Sequence, residues 1–116
     1  MGALNQESGV PLHYLAIISQ AGAAAPTLDS PGVRVNTIGP EPLFSRNAAG
    51  VYDVIFPAPV IPATTIVYLC NAGQFAYDFG WTLLSATTVR LLTSNQTGNL
   101  LDSLMVSCTL DIMVFR

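Results

Sequence analysis

Near the end of the chain, Leu104, Val106, Cys108, Leu110, Ile112 and Val114 set an apolar side chain at every second position. A period of two marks a β-strand with one buried face, because successive side chains of a strand point to opposite sides of its sheet. The intervening positions are Met105, Ser107, Thr109, Asp111, Met113 and Phe115. Burial of the first set contributes on the order of 10 kcal/mol before the opposing loss of conformational entropy. A strand over residues 104–115 is therefore expected at the centre of a sheet.

The rest of the 116 residues reads the same way. Apolar segments at residues 12–20, 33–38, 43–46, 51–56, 64–71, 75–83 and 87–94 alternate with clusters of Gly, Pro, Asn, Ser and Thr, the pattern of short strands joined by turns. Residues 12–20 are apolar on both faces apart from His13 and Ser19, as in a strand covered on both sides. Residues 21–31 read as a small, turn-rich piece and 95–99 as a turn, while 57–62 must be a loop or edge because proline cannot donate to a ladder. No segment sustains a helical repeat. Seven or eight short strands without helices to cover a parallel sheet predict an all-β, antiparallel β-sandwich. It forms one domain over residues 12–116, preceded by an N-terminal arm, residues 1–11, that can order on a partner.

Hydrophobic residues make up 51% of the chain and charged residues 9%. Ordinary soluble domains carry about 25% charged residues. Disorder is excluded, since disordered chains show the reverse balance. The shortage of ionic groups also leaves an isolated surface poorly wetted, so a homo-oligomer is expected, with identical neighbours covering part of the sheet surface. No lysine guards the sheet edges, and proline is the only abundant guard. Arg34, Arg46, Arg90 and Arg116 are too scattered to neutralise a row of phosphates, so nucleic acid is not an expected partner. No run approaches the roughly 18 apolar residues that span a bilayer. Residues 1–11 lack a basic start and an apolar run, so no secretory signal is expected. Cys70 and Cys108 are too few for a zinc site or a disulfide framework, and buried free thiols are expected over a bridge.

Catalytic signals are sparse. His13 is the sole histidine and reads as a hydrogen-bonded structural residue, because a general base needs a nucleophile and an orienting partner that the sequence does not place beside it. Asp53, Asp78, Asp102 and Asp111 show neither calcium-loop spacing nor signs of a glycosidase cleft, and Asp102 reads as an acceptor for backbone N–H groups at a strand entry. No enzyme activity, cofactor or metal is expected. Phe75, Tyr77, Phe79 and Trp81 share a parity, so one strand face carries four rings, as a core or subunit contact or as a platform for a sugar. The candidate oligomer and partner residues are Phe75, Tyr77, Trp81, Met105, Met113 and Phe115.

The run from Tyr14 through Gln20 and Gly22 to Pro26, then Asn36-Thr37 with Gly39, Phe44-Ser45-Arg46, Gly50-Val51-Tyr52, Asp102 and the closing Leu110 to Phe115 resemble a family of small, uncharacterised β-domains. These occur in bacteriophage structural proteins and in bacterial proteins that look prophage-derived. The resemblance implies a jelly-roll-like sandwich forming a homotrimer. It also implies a non-enzymatic virion component, capsid decoration or fibre- or tail-associated, assembled in the host cytoplasm and touching other virion proteins through its arm. The alternative is an adhesive knob that binds a host receptor or glycan through Tyr68, Tyr77 or Trp81. The closing strand departs from the family pattern, with Met113 where Arg is common and Asp111 where Glu is common, which makes its outer face greasier and suits cover by a neighbour. Among the matched positions, Gly22 and Gly39 suit positive φ, Asn36 a turn hydrogen bond, and Arg46 a carboxylate or carbonyl across the sheet.

Overall fold

The computed structural model of the chain describes residues 10–71 and 77–115. Among them are eight strands, β1 (Leu12–Ser19), β2 (Thr27–Asn36), β3 (Leu43–Ala48), β4 (Val51–Ile55), β5 (Ile66–Asn71), β6 (Asp78–Leu83), β7 (Thr88–Ser94) and β8 (Cys108–Val114). They make two four-stranded sheets, sheet A in the order β2-β1-β8-β5 and sheet B in the order β3-β4-β7-β6. Every pairing is antiparallel. The first strand lies against the last, from Leu12 opposite Val114 to Ile18 opposite Cys108. The fourth lies against the seventh, with Val51 opposite Leu92. The two sheets form an antiparallel β-sandwich in which the first and last strands are neighbours at the centre of sheet A. Among the described residues no helix is long and apolar enough to cross a membrane.

The core forms where the inward faces of the four central strands meet. Tyr14, Ala16 and Ile18 of β1 and Cys108, Leu110, Ile112 and Val114 of β8 face Tyr52 and Val54 of β4 and Val89 and Leu91 of β7, all without solvent exposure. Tyr14 meets Phe56 edge to face, ring centroids 6.0 Å apart, the arrangement favoured by the ring quadrupoles. The last strand is central to its sheet, as its alternation requires.

Two boundaries differ from the sequence reading. The closing strand starts at Cys108, not at residue 104. Ser103 and Ser107 have φ of 66° and 47°, and each such reversal breaks the alternation, so Met105 enters the core at 1% exposure while Val106 turns outward at 57%. The crossing segment is held by side chains in place of a ladder. Asn71 donates to the Leu104 carbonyl at 2.6 Å and accepts from the Val106 N–H at 3.0 Å, and the Gln20 N–H donates to the Met105 carbonyl at 3.0 Å. Residues 27–31, read from sequence as turn, belong to β2. Pro31 and Gly32 are tolerated there because β2 is an edge strand, and its register against β1 slips between Leu15 and Ala16 and again before Ile18, as at a bulge.

Both thiols are free, as expected. Cys70 lies opposite Thr109 and Asn71 opposite Cys108, so the two cysteines point to opposite sides of sheet A. Burial pushes the Cys108 thiol up to about 12.

Candidate interaction surfaces

Directly opposed residues of neighbouring strands share a face, so the register defines the outer surface of each sheet. On sheet A, Val35 stands beside Leu15, Leu15 beside Asp111, and Asp111 beside Tyr68. In the adjacent rows, His13 stands beside Met113 and Met113 beside Ile66, while Ile17 stands beside Thr109 and Thr109 beside Cys70. The result is a surface of Leu15, Ile17, Val35, Ile66, Tyr68 and Met113 around the His13–Asp111 pair and Thr109, with Ser19 and Asp29 hydrogen-bonded at one end. Tyr68 is 53% exposed and Ile66 46%. His13 Nδ1 lies 2.9 Å from Asp111 Oδ1 across the β1–β8 ladder. Among the described residues Asp111 is the one hydrogen-bond partner of the imidazole, so the pair has the orienting carboxylate of a catalytic histidine without a nucleophile beside it.

Sheet B presents a more polar outer surface. Asp53 of β4 stands opposite Arg90 of β7, and the guanidinium holds the carboxylate at two points, Nε to Oδ1 at 2.8 Å and Nη2 to Oδ2 at 3.1 Å. Val51, Leu92, Ile55 and the 74% exposed Leu43 opposite Ile55 are the large apolar residues around it, with Ser45, Thr82 and Thr88 in the same rows.

A second arginine–aspartate pair closes one end of the sandwich. Arg46, at the end of β3, reaches Asp102 with Nε to Oδ1 at 3.2 Å and Nη2 to Oδ2 at 2.7 Å. The same carboxylate accepts the Tyr52 hydroxyl at 2.6 Å and the Gly50 N–H at 3.2 Å. The Arg46 hydrogen bond, then that of Tyr52, holds Asp102 well below the usual carboxylate range despite partial burial. Burial first, and the bond to Asp102 second, push Tyr52 up to about 12. Gln20 completes the clasp, accepting the Ser103 N–H at 2.6 Å and donating to the Gly22 and Ala24 carbonyls at 2.8 Å each. Gly50 is required here. Its φ is +71°, and an added Cβ would sit 2.6 Å from the Thr93 carbonyl oxygen and 2.7 Å from the Leu101 nitrogen. This arrangement builds structure: Asp102, Tyr52, Gln20 and the Arg46 Nε and Nη2 groups are all turned onto the chain itself.

The residues singled out from sequence divide among these regions. Met113 lies on the outer face of sheet A. Phe115 lies just past β8, 39% exposed, its carbonyl accepting the Thr64 hydroxyl at 3.3 Å. Trp81 stands opposite Leu91 on the inward side of the edge strand β6, yet remains 38% exposed because that edge is open. Tyr77 precedes β6, stacks on Phe79 at 6.4 Å, and lines a small cleft with Asn95, Gln96 and Thr97. Phe75 lies outside the described residues. Met105 is corrected: it is a core residue and offers nothing to a partner.

Leu15, Ile17, Val35 and Ile66 complete the sheet A surface without having been singled out, although the two-sided apolar character of β1 was the signal for Leu15 and Ile17. Arg46 was matched to a carboxylate by type alone; Asp102, fifty-six positions away, is its partner. Asn36 and the turn glycines behave as read, the Asn36 carboxamide oxygen accepting the Gly39 N–H at 3.0 Å, with φ of 60° at Gly22 and 117° at Gly39. Compared with protein-family models, curated proteins and solved structures, the chain matches none.

Proposed function

We propose that this chain is a non-enzymatic structural subunit of a bacteriophage particle, a capsid-decoration or fibre-associated sandwich that assembles with copies of itself through the outer face of sheet A. The observation that supports this most is the face itself: Leu15, Ile17 and Met113 of the central strands join Val35, Ile66 and Tyr68 of the edge strands, where a sheet exposed to water ordinarily shows polar residues. Within this face Asp111 is engaged by His13 at 2.9 Å and Asp29 by the Ser19 and Ser107 hydroxyls at 3.0 Å each, so both carboxylates have partners of their own when an identical face approaches. A second copy is the occupant that such self-matching fits, and three copies around an axis is the number that the family resemblance implies. In this reading the arm, residues 1–11, contacts other virion proteins.

Expression of the chain with the genes that flank its own, followed by imaging and mass spectrometry of the particles, tests the reading. Copies clustered about a symmetry axis at a fixed ratio to the shell protein are expected. Particles that form fully while the chain stays in the soluble fraction would refute a structural role.

A further inference from the structure

A cleft of about 220 Å³ opens between Tyr77, just before β6, and Asn95, Gln96 and Thr97, just after β7. Its floor is rigid for local reasons. The Asn95 carboxamide oxygen accepts the Thr97 N–H at 3.0 Å, the Thr97 hydroxyl at 2.8 Å and the Asn99 N–H at 3.0 Å, so one side chain ties the whole turn. Among the described residues, the Asn95 amide nitrogen and the Gln96 carboxamide make no hydrogen bond within the chain. Stacking on Phe79 fixes the Tyr77 ring from one side. The cleft thus sets an oriented aromatic ring beside amide donors, an amide acceptor and a hydroxyl, none of them committed to the core.

We infer that this cleft is a carbohydrate subsite for one neutral hexose or N-acetylhexosamine unit. The ring takes the C–H face of a sugar, and the amides of Asn95 and Gln96 take its hydroxyls. Charge selects within the class. Among the described residues no arginine lines the cleft, so an acidic sugar finds no counter-ion there. The cleft belongs to the ends of β6 and β7 in sheet B, outside the face that assembly covers, and the inference does not depend on the assembly reading.

The test is a titration of the isotope-labelled full chain, followed by amide NMR, with galactose, glucose, N-acetylglucosamine and N-acetylneuraminic acid. The neutral sugars are expected to shift the amides of Tyr77 and residues 95–97, and the acidic sugar to leave them in place. Tyr77→Ala should weaken binding roughly tenfold and Gln96→Ala about threefold, with the dispersion of a folded β-protein retained. Gln96 is exposed, so its variant keeps the test valid if Tyr77→Ala does not fold. Absence of shifts at roughly tens of millimolar sugar, shifts centred on Tyr68 or Trp81, or unchanged binding by folded Tyr77→Ala and Gln96→Ala would each overturn the assignment.

Discussion

The two sheets repeat one plan with different degrees of completion. Each sends a tyrosine into the core from a central strand, and each pairs one aspartate with a side chain of the facing central strand on its outside. In sheet B both are finished: Tyr52 donates to Asp102, and Arg90 grips Asp53 at two points. In sheet A neither is. The Tyr14 hydroxyl is buried with no hydrogen-bond partner among the described residues, and His13 meets Asp111 at a single point on a surface where Leu15, Ile17, Ile66, Tyr68 and Met113 surround it. In the assembly proposed above, sheet A is the face that a second copy covers and sheet B the face left to water.

The largest effect should separate the two outer faces. Leu15→Asp places a charge in the middle of the sheet A surface and is expected to reduce the solution mass to that of one chain, 12.3 kDa, while Leu92→Asp, outward on sheet B, leaves the mass of the assembly unchanged. Light scattering on both variants checks this, and an equal response would erase the distinction between the faces.

Next in size is the contrast between the two sides of β8. Leu110→Ala empties a fully buried position and should cost about 2–5 kcal/mol of unfolding free energy. Met113→Ala, on the outer side of the same strand, should cost less than about 1 kcal/mol to the dissociated chain. Denaturant titration in the Leu15→Asp background measures both without interference from assembly.

The tyrosines give a smaller and more diagnostic difference. Tyr52→Phe deprives Asp102 of a donor and should destabilise by about 1–3 kcal/mol, whereas Tyr14→Phe removes a hydroxyl that has no partner and should be neutral or stabilising. Thermal melts of the pair decide whether the clasp belongs to sheet B alone.

The same groups set the pH limits. Tyr14 and Tyr52 are both pushed up to about 12, Tyr14 by burial and then by the charge of Glu41. A raised folded value means that their contribution is complete below about pH 10, the ordinary tyrosine value, and is lost as pH rises toward 12. Asp102 behaves oppositely. Its lowered value gives a contribution complete above about pH 4, the unfolded carboxylate range, and lost as pH falls below it. Melting temperatures across pH should therefore drop at both extremes, and Asp102→Asn should flatten the acid limb while lowering the plateau.

Much of this was legible in the sequence, and the exceptions have physical causes. The alternation of Cys108, Leu110, Ile112 and Val114 placed β8 at the centre of a sheet because a half-buried strand has no other pattern. The same alternation extended falsely to Leu104 and Val106, since the backbone reverses at two serines held by Gln20, Ser19 and Asn71, contacts that come from far along the chain. Residues 27–31 looked like a turn because Pro and Gly ordinarily punctuate, yet an edge strand has a free side on which a missing donor costs little. The sheet A surface was half visible, in a first strand apolar on both faces. Which neighbours join it depended on register, and register is fixed only when strands separated by about a hundred positions meet, as His13 and Asp111 do.

Sedimentation equilibrium of the unmodified chain across micromolar concentrations bears on the unfinished-layer idea most directly. A single species at a whole multiple of 12.3 kDa, with three copies the expected number, is the predicted result. A soluble species of 12.3 kDa that persists at high concentration, with the amides of β1 and β8 as protected as in any assembled form, would show that sheet A needs no cover.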